Sequence, residues 1–309
     1  MSEVLVVGEA LVDVVSSATG GQAHPGGSPL NVAIGLARLG TPVTLATRLG
    51  TDSYGRMLAS HLADAGVRLT SGSIDPSTRT SSATATIQAD GSAHYDFDIT
   101  WDIADIPSRG FDLVHAGSIG ALLKPGGDTV AEFFEVADGD MLRSFDPNIR
   151  PSVVGSRASI LPLVERFARA STIVKMSDED AEWLHPELAA SEVTAHYARR
   201  GASIVVITRG AEGSILRCGE ENALIPSPVV DVADTIGAGD SYMAGLLHFI
   251  AAEIGVVGLR TRGVSLFEAI DACRFAAACA AVTVGRSGAD LPHLNDVTIT
   301  AGIRDESTN

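Results

Sequence analysis

VVDVADTIGAGDSYMAGLL, residues Val229–Leu247, runs from a β-branched apolar stretch through a glycine turn into small and apolar residues at helical spacing. It predicts a strand, a tight turn and a helix start. The first amides of a helix have no internal partner, and the helix dipole adds positive potential there, so such a junction binds anions. Gly237 and Gly239 would let the backbone approach a phosphate with no Cβ in the way. Asp240 falls at the same helix start. Beside a transferable phosphate, its carboxylate can accept the proton of an attacking hydroxyl. The plainer reading is an N-cap aspartate on a structural turn.

Outward from this stretch, strand and helix signals alternate. Val4–Val7 is a continuous apolar run ending at Gly8, as in a central parallel strand buried on both faces. Val43–Ala46, Leu113–Ala116, Ser144–Asp146, Thr172–Lys175 and Ile204–Thr208 read as further strands. Between them lie helical patterns at Val32–Leu39, Ser53–Ala65, Thr129–Val136, Ser159–Ala168, Asp178–Leu184, Glu192–Arg199 and Leu266–Val282. This alternation predicts a mostly parallel sheet with helices on both faces. From Ser71 to Asp98 the pattern changes: Thr80–Gln88 is rich in β-formers, Asp90-Gly91 marks a hairpin turn and Ala93–Ile99 alternates. With Leu11–Val15 these segments predict a small antiparallel sheet over one end of the core, either a lid or a plain surface hairpin. One core domain, 1–309, with an inserted lid at about 11–25 and 79–101 is the expected organisation.

The 309 residues carry a formal charge of −16, 45% hydrophobic residues and 32 glycines. That composition suits a globular α/β protein with many tight turns. The acidic balance argues against a nucleic-acid surface, which wants a basic stripe. No apolar run approaches the roughly 18–20 uncharged residues of a membrane span, so no membrane partner is expected. Met1-Ser2-Glu3 leads directly into Val4–Val7 without a basic signal region, and Cys218, Cys273 and Cys279 have no CxxC spacing. A reducing cytoplasm is the expected setting.

Polar residues recur where strands end: Asp13, then Asp146 and Asn148, then Ser177 and Asp180 after Lys175, then Thr208 and Gly210. Ligands of open α/β sheets bind outside the carboxyl ends of the strands. Each residue alone reads as a cap or turn former; together with an anion site they point to a shared cleft. Gly26-Gly27 before Asn31 would let the backbone approach a polyhydroxy ligand. Other phosphate signatures are missing: the two lysines, Lys124 and Lys175, do not follow glycines, and Tyr242 stands where GxGxxG needs its third glycine.

GGSPLNVAIGLARLG (Gly26–Gly40) and DTIGAGDSYMAGLL (Asp234–Leu247) resemble the two signature motifs of the phosphofructokinase-B-type carbohydrate kinases, the ribokinase superfamily. GEALVD (Gly8–Asp13), FDPNIRP (Phe145–Pro151), ITRGAEGS (Ile207–Ser214) and RFAAACAAVTVGRSGA (Arg274–Ala289) are similar to the same family, most of all to its fructokinase and 2-keto-3-deoxygluconate kinase branch. The resemblance implies a ribokinase-like three-layer α/β/α sandwich with a small β-sheet lid. It also implies ATP-dependent phosphorylation of a sugar hydroxyl, fructose first, with the keto-acid or ribose as alternatives. A sugar- or nucleotide-binding protein without catalysis is the reading from another class.

By the same resemblance Asp240 is the base, and the amides of Gly237, Ala238 and Gly239 form the anion hole. Asp13, Gly26, Gly27, Asn31, Phe97, Trp101 and Arg150 would face the sugar. Lys175, Ser177, Thr208, Gly210, Gly213 and Ala277 would face ATP. Asp180 would hold Mg²⁺ indirectly, and Asp234 would belong to a monovalent-cation (K⁺) loop with Gly285–Gly288. A homodimer through paired lids is the expected assembly. Three departures stand out: Ser177-Asp178-Glu179-Asp180 replaces an Asn-x-x-Glu pattern, Ala277 replaces an asparagine near adenine, and Pro292 stands where a hydroxyl is common.

Overall fold

Val4-Leu5-Val6-Val7, fully buried, is the strand from which two layers of core are laid down. The structure, a computed structural model, describes residues 2–17, 20–87, 93–137 and 139–298. In chain order its strands are β1 (Val4–Val7), β2 (Leu11–Ser17), β3 (Gly20–Gly26), β4 (Val43–Ala46), β5 (Arg68–Leu69), β6 (Ser82–Ile87) and β7 (Ala93–Asp98). They continue with β8 (Leu113–Gly117), β9 (Leu142–Asp146), β10 (Ile173–Ser177), β11 (Ile204–Thr208), β12 (Ser214–Cys218) and β13 (Glu221–Ile225). The larger sheet has the order β13-β12-β11-β10-β9-β8-β1-β4-β5. It is parallel from β5 to β11, and only the β11–β12 and β12–β13 pairings are antiparallel.

The helices are α1 (Ser28–Arg38), α2 (Ser53–Asp64), α3 (Ser118–Leu122), α4 (Gly126–Val136), α5 (Pro151–Val154) and α6 (Arg157–Ala170). After them come α7 (Asp178–Leu184), α8 (Ala190–Ala198), α9 (Ala238–Phe249), α10 (Val256–Arg262) and α11 (Leu266–Val284). Side-chain alternation along β1 sorts them into layers. Val4 and Val6 point into one core with α1, α2, α9, α10 and α11. Leu5 and Val7 point into the other with α3, α4, α6, α7 and α8. Each fully buried Leu, Val or Phe in these layers contributes roughly 1.5–3 kcal/mol. The result is an α/β/α sandwich.

The four-stranded second sheet has the order β3-β2-β6-β7. Its outer pairings are antiparallel, but β2 and β6 run parallel, with Val12 opposite Ser82. The expectation of a wholly antiparallel small sheet is corrected on that point. The reason is connectivity: β2–β3 and β6–β7 are two separate excursions from the core, joined side by side. The Asp90-Gly91 turn lies outside the described residues.

The strand expected at Val229–Val232 does not form. Val229 and Val232 are exposed, and the segment runs past the sheet with no strand partner. Among the described residues its backbone is anchored where the amides of Ala233 and Asp234 donate to the Val284 carbonyl (2.9 and 3.2 Å). Among the described residues, no single helix is long and apolar enough to cross a membrane.

Candidate active site

A cavity of about 380 Å³ opens between the small sheet and the carboxyl ends of β1 and β9. Asp13 of β2 and Phe97 of β7 line one wall, with Gly27 and Asn31 at the entry of α1. Arg150 lines a second wall, and Gly237, Gly239 and Asp240 line the floor at the start of α9. With Asn148, which also lines it, nine residues expected around a shared cleft surround this cavity. Gly27 takes φ 108°, and a Cβ there would stand 2.8 Å from the Glu9 carbonyl oxygen, so no other residue fits that entry without strain.

Gly237 caps α9 in the left-handed conformation (φ 77°), which turns the chain so that the first helical amides face the cavity. No hydrogen bond among the described residues takes up the amides of Gly237, Gly239 and Asp240. The Ala238 amide, expected to join them, instead donates to the Thr235 carbonyl (3.3 Å). The open set is thus shifted towards Asp240. The Asp240 carboxylate accepts from Ser28 Oγ (2.6 Å) and Asn31 Nδ2 (2.8 Å). Burial raises its pKa above the ordinary aspartate value, while those two donors, Lys175 and Arg150 pull it down.

Lys175, expected to face ATP, is held in an internal ion pair. It is buried beneath α9, where its Nζ donates to Asp146 Oδ2 (2.8 Å) and the Gly239 carbonyl (3.3 Å). Burial raises the Asp146 carboxyl to about 6, against the pull of Lys175, and Asp180 and Asp240 add to the rise. Asp146 Oδ1 has no hydrogen-bond partner. Ser177 is spent as the N-cap of α7 in a reciprocal box with Asp180. The Asp180 oxygens accept the amides of Ile149 (2.9 Å) and Ser177 (3.3 Å), which fixes the carboxylate against the backbone.

The remaining expected positions separate. Ser177 and Thr208 are neighbours across the ends of β10 and β11, and the Gly210–Glu212 turn and Gly213 follow, apart from the cavity walls. Ala277 is buried in the core on α11. Asp234 accepts the amides of Ile236 and Gly288 (both 3.0 Å), so the two halves of the expected cation loop are tied together. Gly26 packs against Asp13 outside the lining. Trp101 is not a cleft residue at all. It is buried in the core, with its indole Nε1 donating to the Gly120 carbonyl (2.7 Å). A tryptophan near the end of a polar strand reads as a ligand contact in sequence, but here it anchors that strand to the core.

Among the lining residues that escaped the sequence reading, the polar Glu9, Ser28 and Ser118 matter most. Ser28 stands inside the GGSPLN motif, and that position was the available signal. Glu9 and Ser118 carry no spacing signal, because the chain brings them together only through adjacent β1 and β8. Elsewhere, Glu165, His185 and His196 have ligand atoms within 4.8 Å of one another. Glu165 there is ion-paired with Arg200 (2.6 Å) and His196 (2.7 Å), and His185 at the end of α7 meets the Tyr197 hydroxyl (2.9 Å), a polar network that ties α6, α7 and α8 together.

The family model for pfkB family carbohydrate kinases matches residues 1–296. The chain belongs to the pfkB family of carbohydrate kinases. This pfkB-family kinase is 34% identical over 260 residues to a fructokinase of Rhizobium leguminosarum bv. trifolii, covering 79% of this chain and 78% of that one. It is 31% identical to fructokinase-1 of Oryza sativa subsp. japonica, covering 95% of each. Among solved structures it is similar to a fructokinase with bound ATP from Xylella fastidiosa, with TM-score 0.81, 26% identity and 96% of each chain covered. It is also similar to a fructokinase double mutant from Vibrio cholerae O395 in fructose, ADP and potassium ion bound form, with TM-score 0.78, 26% identity and 94% of each covered. The pfkB-family kinase thus has the ribokinase-like sandwich expected from its motifs.

Proposed function

We propose that this carbohydrate kinase transfers the γ-phosphoryl group of ATP to a hydroxyl of fructose, with Asp240 accepting the hydroxyl proton. The observation that carries the reading is the floor of the cavity, where a buried carboxylate held by Ser28 and Asn31 sits beside open helix-start amides. Burial makes Asp240 a stronger base than a solvated aspartate. The open amides of Gly237, Gly239 and Asp240 offer a site for the transferred phosphoryl group. Asp13, Gly27, Asn31 and Phe97 surround the sugar on this reading. The small sheet acts as the lid that excludes water, and the ends of β10 and β11 carry the nucleotide.

Asp146 and Asp240 both feel the buried ammonium of Lys175, Asp180 adds negative charge beside Asp146, and that acidic set fits a divalent cation close by. Asp180, fixed by two backbone amides, would reach Mg²⁺ through water, since Mg²⁺ keeps several of its waters when bound. The ion supplies charge neutralisation at the phosphates. The Asp234–Gly288 loop would take K⁺. Two small sheets would pair in a homodimer, and the cytoplasm is the proposed setting.

Arg150 favours a second substrate. Its Nη1 donates to the Asn148 and Ile149 carbonyls, and among the described residues no hydrogen bond takes up the other guanidinium nitrogens beside the cavity. A carboxylated sugar such as 2-keto-3-deoxygluconate complements that charge. ADP release measured with fructose, 2-keto-3-deoxygluconate and ribose separates the readings by kcat/KM. Asp240→Asn is expected to lower kcat by about 10²–10⁴-fold with little change in ATP affinity. Near-normal turnover in that variant removes Asp240 as the base.

A further inference from the structure

Glu9 stands two residues beyond the end of β1 and is 3% exposed, yet it lines the cavity. Its Oε2 accepts the Gly120 amide at 2.6 Å, and its carboxylate also bonds the Ser118 side chain. Ser118 opens α3 with φ 53°, a left-handed conformation that a serine adopts at a cost of about 1–2 kcal/mol. That turn presses hard on β1: a Cβ at Gly120 would stand 2.4 Å from Gly8 Cα. Ser118 and Ile119, held this way, form cavity wall.

We propose that Glu9 is a positioning residue for the sugar, holding the Ser118–Gly120 turn in the shape that completes the sugar pocket. The inference rests on the sugar-kinase reading of this cavity. Asp240 of α9 faces Glu9 and repels it, while Asp13 of β2 and Arg150 share the same cavity. Burial pushes the Glu9 carboxyl up to about 7, against its own amide, the Gly120 amide and Ser118, all of which favour the ionised form. The bonding set is that of a carboxylate. Protonation as pH falls through this range converts an acceptor oxygen into a hydroxyl and loosens the turn.

Glu9→Gln keeps the size and a carbonyl for the Gly120 amide but cannot ionise. In steady-state assays the wild type should lose kcat/KM for the sugar as pH falls below about 7. Glu9→Gln should raise sugar KM roughly tenfold, the loss of one charge-assisted bond, with ATP KM unchanged and that acidic limb gone. Ser118→Ala removes one donor and should move the limb to higher pH. A Glu9→Gln enzyme with wild-type sugar KM and pH profile, or with only a lowered Tm, overturns the proposal. Amide hydrogen exchange across residues 117–122 of the ligand-free protein tests the turn without turnover. Protection should fall in Glu9→Gln and, in the wild type, below about pH 7. Unchanged protection is fatal to it. A wild type that turns over no sugar defeats the kinase reading instead, and the exchange data still decide the role of Glu9.

Discussion

Lys175 shows what coordinates add to the reading of a single side chain. Lysines are scarce in this chain, and one at the end of a strand near a phosphate site invites assignment to the phosphates. Instead it is buried against Asp146 at 2.8 Å. Lys175→Met should therefore act first on stability, costing about 3–5 kcal/mol because Asp146 is left buried without its cation. Denaturant unfolding measures this, and Asp146→Asn in the same chain should restore most of it. The pH dependence follows from the raised Asp146 value of about 6. A carboxyl whose folded pKa lies above its unfolded value favours the fold when protonated, so this contribution is lost as pH rises through about 6. Without Lys175 the crossing moves upward, and the variant should recover stability towards acid. Asp240, Asn31, Gly27 and Asp13 were legible because their motifs fix them in short local frames. Glu9 and Ser118 were not, because their pairing depends on which strands become neighbours.

At the scale of elements, α7 carries its own start signal. Ser177 accepts the Asp180 amide (3.0 Å), and Asp180 returns a bond to the Ser177 amide (3.3 Å). Ser177→Ala should cost about 1 kcal/mol in a denaturant melt. ATP KM should stay within about twofold, since the hydroxyl is already engaged in capping; a large rise in KM would return Ser177 to the nucleotide site. Strands with apolar character on both faces, such as Val4–Val7 and Ile204–Thr208, were legible as elements of a parallel sheet. Val229–Val232 carries the same β-branched signal but has no neighbouring strand to pair with, and it stays extended in solvent. The short helices Ser118–Leu122 and Pro151–Val154 have too few residues for a periodic pattern. Tertiary contacts make them, so the local sequence does not announce them.

For the whole molecule, the net charge of −16 sets a self-repulsion that salt relieves. Raising NaCl from about 10 mM to about 150 mM shortens the screening length from about 30 Å to about 8 Å, so Tm should rise. KCl at equal ionic strength should match NaCl if screening is the whole effect. A further rise specific to K⁺ would point to the Asp234–Gly288 loop. Sequence alternation was enough to foresee a layered sandwich, because strand–helix repeats leave few other ways to bury both faces of a sheet. The parallel seam between β2 and β6 was not foreseeable, since two distant excursions choose each other only after the core has formed.

One residue joins these scales. The Gly120 unit is gripped from both sides, its N–H by Glu9 and its C=O by the Trp101 indole, and Trp101 follows closely on β7. Tilting the small sheet about residues 99–101 would pull on this glycine from its carbonyl side, while Glu9 holds it from its amide side. Occupancy above the floor and the pose of the cover then share one residue as their linkage, through the two peptide planes that meet at its Cα.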